Sequence, residues 1–434
     1  MKIYSVNTSS PEKEMFSFMA YKIRVTIFLF LKQIRGAINM SKKPTGHIRQ
    51  RKDGLWEGQY IFQRQRRSIY GNTRNGVEKE LERIVTSIEL GEYIRPNQHT
   101  LNSWLKEWLE KYARPTLRPG TFLSYEAIIE KHFDAEYGRV QLKNVSIKLL
   151  QDFFNEKLIS GRADKREGGL SVKTLKNIKY MLHVALDQAC FCSLIPFNPV
   201  NGVRLPVPDY VEQKVLTSKE KNLICNYAAT IKSLTAKGVI ILLTCGLRRG
   251  ELLGLQWQDV DFEDGKIKIR HTASRLRKFD VNRSAYTYIR IDEYAPEDNT
   301  TALYLGPVKT KKGVRTIYLP DRAMQAFLAL KELRDEYAVK RPNFNRHDLV
   351  FCTEEGHCLD SKALEEGFHK ILSDLGLRCV NLHATRHTFA TEALQKTTDI
   401  VTISEILGHA KPSTTMDMYG HTFDERKRAL MAQM

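Results

Sequence analysis

The sequence predicts a multidomain α+β protein. In chain order we expect a small three-stranded sheet plus a helix, an all-helical domain, and a mainly helical domain with a small β-sheet. Strand-like patterns occur only in short stretches, near residues 56–62, 262–270 and 316–319, and elsewhere apolar residues recur at helical spacing. The chain has 434 residues, 42% of them hydrophobic, which is enough for several ordinary cores.

Proline-containing stretches divide the chain. One surrounds Pro96 and another runs from Pro199 to Pro208, so we predict domains at residues 45–96, 97–205 and 210–434. Residues 1–44 are expected to be an extension that is disordered or not native, because Met40 and the residues after it are typical of a natural start. The apolar run at residues 25–31 is too short to span a bilayer, so we expect no membrane association.

The chain is strongly basic. Lys and Arg number 68 against 50 acidic residues, a net charge of +18, which favours a polyanionic partner. The seven cysteines form no CxxC pairs and no disulfide framework is predicted, so a reducing cytoplasm fits best.

The first predicted domain combines a sheet with basic turns. Trp56, Tyr60 and Phe62 alternate with polar residues as in a half-buried strand, and the apolar positions from Val77 to Ile88 predict a helix that covers the sheet. Such a unit could read a DNA groove, and the alternative is a solvated charged edge. The candidate DNA-binding residues are Arg49, Arg51, Lys52, Arg64, Arg66 and Arg67.

Three stretches of the second predicted domain have apolar residues at helical spacing, namely residues 101–112, 149–158 and 175–189. We expect Trp104 and Trp108 to be core residues rather than platforms for stacking bases. Further on, Thr217 to Glu220 is a capping box that opens the first helix of the third domain.

The residues from Leu382 to Thr391 predict a helix with Arg386 in the middle of its apolar face and His383 on the same edge. A buried arginine needs a partner, which is either a bound anion or an internal carboxylate. A short amphipathic helix follows, ends at Gly408, and precedes His409 and a further helical turn with Tyr419. Together these residue types suit an anion next to a nucleophile.

A second arginine is predicted upstream. In Leu247 to Leu255, helical spacing places Arg248 on the inward face with Leu252 and Leu255, whereas Arg249 points away. Glu251 lies one turn further and would steady the Arg248 guanidinium. The alternative is a purely structural ion pair between these two residues.

The runs HATRHTFAT at residue 383 and LGHAKPSTTMDMYGH at residue 407 resemble the catalytic C-terminus of the tyrosine recombinases, the phage-integrase family of DNA recombinases. Arg248 in GLRRGEL aligns with the first catalytic arginine of that family. Lys309, in a KTxxGxR pattern, matches the catalytic lysine of a β-hairpin expected at residues 307–315. Residues 45–96 are similar to an arm-type DNA-binding domain, and residues 97–205 to a core-binding (SAM-like) domain.

The resemblance implies a mechanism. Tyr419 would attack a DNA phosphodiester, Arg248 and Arg386 would neutralise its oxygens, and Lys309 would protonate the leaving 5′ oxygen. His383 would assist proton transfer from Tyr419. The remaining assignments are His409 as a hydrogen-bond donor to the phosphate and Lys311 and Lys312 as phosphate contacts. The residues 278–300 are an insertion for which we predict no role.

The family also implies partners and conditions. We expect no metal and no cofactor, double-stranded DNA at attachment sites, a homotetramer on DNA, an excisionase or host DNA-bending factor as helper, and a cytoplasmic location. The predicted function is integration and excision of a mobile element, either a prophage or a conjugative transposon. The alternatives are a non-catalytic DNA-binding regulator of the same fold and a recombinase that resolves chromosome dimers.

Overall fold

The computed structural model describes residues 47–62, 64–90, 93, 98–162, 167–207, 215–292, 299–341, 343–397, 399–419 and 431. The predicted extension at residues 1–44 and the tail after Tyr419, apart from residue 431, lie outside this range, as do parts of both predicted linkers. Contacts divide the chain into two compact units: residues 1–104, 139–156 and 177–204, and residues 105–138, 157–176 and 205–434. The domain division at residues 45–96, 97–205 and 210–434 remains a prediction.

The first element is the predicted three-stranded sheet. Strands β1 (His47–Gln50), β2 (Trp56–Phe62) and β3 (Gln65–Gly71) pair antiparallel in the order β1-β2-β3. Helix α1 (Arg74–Glu89) starts at Thr73, whose side chain accepts a hydrogen bond from the backbone N–H of Gly76. Val77 and Leu81 on α1 are buried with Tyr60 on β2, which confirms the predicted sheet-and-helix arrangement.

Helices follow without further strands until residue 260 in the described part of the chain. They are α2 (Leu101–Trp108, continued by a π-helical turn to Ala113), α3 (Pro119–Phe133), α4 (Glu136–Arg139), α5 (Ile147–Ser160) and α6 (Val172–Phe191). Trp104 and Trp108 are almost fully buried, and the indole N–H of Trp104 donates to the Ala185 carbonyl at 2.9 Å. Their predicted core role is confirmed.

The remaining chain is mainly helical, as predicted. Helix α7 (Ser218–Thr230) begins with the predicted capping box at Thr217, and α8 (Leu234–Cys245) is buried at nearly every position. The other helices are α9 (Arg249–Leu253), α10 (Lys278–Asn282), α11 (Asp321–Lys340), α12 (Ser361–Asp374), α13 (Ala384–Lys396), α14 (Ile400–Leu407) and α15 (Pro412–Tyr419). Helices α7, α9, α11, α12 and α13 contact α8 around the main core, and apolar residues of α13 and α14 form a second, smaller cluster.

Two sheets lie in this region where we predicted one. Strands β4 (Val260–Asp261), β5 (Lys266–Ile269) and β9 (Arg315–Tyr318) form the first sheet. The second has the order β6-β8-β7, with β6 (His271–Arg277), β7 (Ile289–Arg290) and β8 (Thr301–Pro307). The insertion at residues 278–300 thus contributes α10 and an edge strand.

The predicted β-hairpin around Lys309 is wrong. Strand β8 pairs with β6, from His271 with Pro307 to Arg277 with Thr301, whereas β9 pairs with β5. Residues 308–314 therefore connect strands of different sheets. The predicted continuous strand from Phe262 to Arg270 is also interrupted, because a turn with Gly265 at φ +61° separates β4 from β5.

No helix in the described ranges is long and apolar enough to cross a membrane. All seven cysteines are free thiols in the structure.

Candidate active site

A buried carboxylate lies at the centre of the predicted site. Glu251 is only 4% exposed and accepts hydrogen bonds from the guanidinium groups of Arg248 (2.7 Å) and Arg315 (2.9 and 3.2 Å). Burial alone would raise the pKa of Glu251, but the hydrogen bonds and charge of Arg315, together with Arg248, outweigh it and lower the pKa. Glu251 is therefore an ionised anchor for two arginines.

Arg248 does not lie within a helix, contrary to the prediction. Helix α8 ends at Gly246, which has φ +64° and would place a Cβ 2.3 Å from the Phe389 ring. The chain then turns, and Arg248 is the extended residue that caps α9. Its side chain is 39% exposed, so a ligand can reach it, and it also donates to the Gly408 carbonyl at 3.2 Å. Arg249 is exposed and pairs with Glu365, as expected of the outward arginine.

Arg386 is buried on α13, as predicted, at 3% exposure. Its guanidinium donates to the carbonyl oxygens of Gly246 (2.8 Å) and Leu407 (2.7 Å). These carbonyls belong to the C-terminal ends of α8 and α14, where helices leave acceptors unsatisfied. Arg386 thereby joins two helix ends next to Arg248.

His409 follows the left-handed Gly408 and contacts Arg386, with Nε2 2.9 Å from the guanidinium Nη2. Since a guanidinium can only donate, Nε2 is the acceptor and the ring proton is on Nδ1, which donates to Thr415 Oγ1 at 2.9 Å. Burial, and then the charges of Arg386 and Arg248, lower the pKa of His409 to about 4. The imidazole is therefore neutral near pH 7.

His383 is the residue immediately before α13. The residue is exposed overall, but partial burial of its ring, followed by the charges of Arg386 and Arg248, lowers its pKa. A neutral imidazole next to two guanidinium groups is able to accept a proton. The ring lies edge-to-face against His387, 4.7 Å between centroids.

Helix α15 connects the cluster to Tyr419. Thr415, which is fully buried, holds the first turn of this helix to His409. Tyr419 lies four positions, about one turn, further along the same helix. The side chains of Tyr419 and Lys311 lie outside the described part of the structure. Lys309 and Lys312 are described and are exposed, on the segment that connects β8 to β9.

A model described as the phage integrase family matches residues 214–426, and a model described as the phage integrase N-terminal SAM-like domain matches residues 100–158. The chain belongs to the phage integrase family of tyrosine recombinases. This recombinase is therefore an enzyme that breaks and rejoins DNA strands at specific sites. The predicted family, fold class and function are confirmed.

The recombinase is similar to proteins of several origins. A tyrosine recombinase XerC-like protein of Caldanaerobacter subterraneus subsp. tengcongensis is 26% identical over 374 residues, covering 83% of this chain and 89% of the relative. The ICEBs1 integrase of Bacillus subtilis is 23% identical, covering 72% and 77%. The transposase of transposon Tn916 from Enterococcus faecalis is 26% identical and covers 62% of each chain.

The fold is shared with a solved structure. The Tn1549 transposon integrase, in complex with a circular intermediate DNA, superposes with a TM-score of 0.59 at 20% identity, covering 77% of this chain and 100% of that one. This likeness concerns the fold of the recombinase.

Arg315 is the site residue that sequence reasoning missed. Besides its two bonds to Glu251, it donates to the carbonyls of Ile406 (2.6 Å) and Gly313 (3.1 Å), and its side chain is 6% exposed. The signal was available, because Arg315 is the last position of the pattern that also contains Lys309. It ties β9 to the end of α14 in the recombinase.

The N-terminal basic residues of the recombinase differ in their surroundings. Arg49 lies in β1 and binds Glu57, whose side chain is buried. Hydrogen bonds from Ser68, Gln59 and Arg49 lower the pKa of Glu57 to about 2. The other candidates are exposed or half-buried: Arg51, Lys52, Arg64, Arg66 and Arg67. Arg51 and Lys52 lie in the β1–β2 turn, and Arg66 and Arg67 in β3.

Proposed function

We propose that this recombinase is an integrase that inserts and excises a mobile element, a prophage or a conjugative transposon, through a 3′-phosphotyrosyl intermediate. The observation that carries the proposal is the convergence of Arg248, Arg386 and His409 on the Gly408 turn, directly before the helix with Tyr419. Two guanidinium groups at one point suit a phosphodiester, because each presents paired donors to phosphate oxygens.

The chemical step transfers the phosphoryl group of the DNA from the 5′ oxygen to the oxygen of Tyr419. The Tyr419 hydroxyl oxygen bonds to phosphorus while the bond from phosphorus to the 5′ oxygen breaks. The phenolic proton passes to the neutral His383, and Lys309 gives a proton to the 5′ oxygen. Arg248 and Arg386 stabilise the charge that develops on the non-bridging oxygens. Reversal of these steps by another 5′ hydroxyl joins the strands.

Before phosphate binds, the hydrogen bonds of His409 define which of its ring nitrogens carries the proton. Its Nε2 accepts from Arg386, so donation to a phosphate oxygen requires that the phosphate replaces His409 as the partner of Arg386 and that the ring proton moves to Nε2. Thr415 Oγ1 can then donate to Nδ1, since a hydroxyl can serve as donor or acceptor. Glu251 and Arg315 hold the arrangement without contacting the reacting atoms.

The relatives support the biological context. The ICEBs1 integrase and the Tn916 transposase are named for mobile elements, and the Tn1549 integrase was solved with a circular intermediate DNA. We propose that this recombinase acts in the cytoplasm on double-stranded attachment sites, as a homotetramer, with an excisionase or host DNA-bending factor as helper. The net charge of +18 favours binding to DNA.

The test uses a nicked suicide substrate that carries the end of the element, from which the cleaved strand fragment diffuses away and prevents rejoining. We expect a covalent protein–DNA adduct that resists denaturant with the wild type and no adduct with Tyr419→Phe. The matched control is Tyr318→Phe, on an exposed tyrosine of β9. DNA binding without any adduct would contradict the proposal and favour a non-catalytic regulator.

A further inference from the structure

The segment that carries Lys309 is not fixed by strand pairing of its own. Residues 308–310 follow the last paired residue of β8, and β9 begins only at Arg315 in a different sheet. A general acid must stand within hydrogen-bond reach of the leaving oxygen, so this connection needs another support. Two arginines outside the predicted catalytic set provide contacts at its two ends.

Arg118 holds the first end. Its guanidinium donates to three successive carbonyl oxygens, those of Pro307 (3.0 Å), Val308 (2.9 Å) and Lys309 (3.3 Å). Val308 is buried in the core around α8, so this end of the connection is fixed on both sides. Arg315 holds the second end through the Gly313 carbonyl.

Arg118 is itself well fixed. It is the extended residue that caps α3, where its carbonyl accepts from Thr121 and Phe122 N–H, and its guanidinium lies 4.7 Å from the Tyr286 ring. The turn between α2 and α3 is joined to the insertion by a buried ion pair, Arg114 to Asp280 at 2.9 Å, with side chains 9% and 1% exposed.

A third contact ties α3 to β6, between Glu126 and Arg277 at 2.6 Å. Arg277 also pairs with Asp280 at 2.7 Å. The insertion at residues 278–300 thus serves as the attachment that keeps Arg118 against the Lys309 connection. This support of Arg118 is a role for the insertion that the sequence did not reveal.

We propose that Arg118 is a positioning residue for the general acid: it fixes the main chain at residues 307–309 so that the Lys309 ammonium meets the leaving 5′ oxygen. The inference rests on the proposed function, in which Lys309 is that acid. Removal of Arg118 leaves the charge of Lys309 intact but releases the loop, and a displacement of about 1 Å costs a reaction on the order of a hundredfold.

A substrate with sulfur in place of the bridging 5′ oxygen separates this role from a structural one. A thiol has a pKa of about 8.5, so it leaves as a thiolate and needs no proton from Lys309. We expect Lys309→Ala and Arg118→Ala to cleave ordinary DNA slowly and to recover almost fully on the sulfur substrate. Arg118→Lys, which retains the charge without the planar fork, should fall between Arg118→Ala and the wild type on ordinary DNA.

The matched control is Arg334→Ala, on α11, where the arginine pairs with the neighbouring Asp335; it should cleave both substrates like the wild type. The inference is overturned if Arg118→Ala cleaves ordinary DNA at the wild-type rate, or if it stays slow on the sulfur substrate while Lys309→Ala recovers. If Lys309→Ala does not recover either, the assignment of Lys309 as the acid fails and the inference fails with it. Should Arg118→Ala not fold, Arg118→Lys and Arg118→Gln give the same comparison.

Discussion

At the residue scale, Glu251 is the group that makes the site possible. Two guanidinium groups share this one carboxylate, and a third, that of Arg386, lies next to Arg248 at the Gly408 turn. Without an internal anion, these cations would repel one another, and the repulsion would be strong because Arg315 and Arg386 are buried. Glu251 therefore sets the geometry into which a phosphate can enter.

Glu251→Gln tests this role. Removal of one partner of a buried ion pair leaves uncompensated charge, and we expect a loss of about 3–5 kcal/mol in unfolding free energy. Thermal unfolding measures it, together with cleavage of the suicide substrate. The control Glu366→Gln removes an exposed carboxylate that lies 3.6 Å from Lys362, and its effect should be at most about 1 kcal/mol. Equal effects of the two changes would contradict the role assigned to Glu251.

Two buried histidines make stability depend on pH. Burial lowers the pKa of both His387 and His409 to about 4, whereas the ordinary value is 6.5. A group with a lowered folded-state pKa contributes stability above its unfolded pKa and loses it as the pH falls towards the folded one. We expect the melting temperature to decrease between about pH 6.5 and pH 4, and to decrease less in His387→Gln. Parallel curves for the two proteins would refute this assignment.

At the element scale, the site depends on where helices end. Helices α8 and α14 both stop at a left-handed glycine, and the carbonyls at their ends are the acceptors for Arg386. These stops were predictable, because Gly246 and Gly408 follow apolar helical runs directly. The pairing of β8 with β6 was not predictable, since the partner of a strand depends on contacts between residues that are distant in sequence.

Gly408→Ala tests the importance of one such end. Gly408 has a left-handed backbone conformation, with φ +65°, which is strained for alanine. The added Cβ would also lie 2.9 Å from the Arg315 guanidinium. We expect a loss of about 1–2 kcal/mol in stability from the backbone and a further loss of cleavage from the displaced Arg315. The control Gly376→Ala has a similar φ of +64° with no atom within 4 Å, so it should lose stability but retain cleavage. Normal cleavage by Gly408→Ala would show that Arg315 tolerates the change.

At the scale of the whole molecule, the site is assembled from distant parts of one chain. The set Arg248, His383, Arg386, His409 and Tyr419 could be predicted from the sequence because each residue lies in a short local motif, and their catalytic roles stay predictions. Arg118 was not recognised, since its partners are about 190 residues away and no local pattern encodes that distance. Arg315 lies in the same local pattern as Lys309, but its contact with Glu251, 64 residues away, could not be read from that pattern. Long-range hydrogen bonds of this kind are visible only in the folded chain.

The salt dependence of DNA affinity should distinguish basic residues that contact phosphate from those that do not. Arg66 is exposed on β3, and each phosphate that a cation neutralises adds about 0.9 to the steepness of log affinity against log salt. We therefore expect Arg66→Ala to reduce this slope by about one in a titration across salt concentrations. Arg83→Ala, on an exposed arginine of α1 that lies 3.8 Å from Glu80, is the control and should leave the slope unchanged. The same slope for Arg66→Ala and the wild type would exclude a phosphate contact there.

The most direct measurement is to map the residue that becomes joined to DNA. The adduct trapped on the suicide substrate is digested with protease and nuclease, and the modified peptide is sequenced by mass spectrometry. The account predicts a single modified tyrosine, Tyr419, linked to a 3′ phosphate. Attachment at another residue, or to the 5′ end of the cut strand, would contradict it.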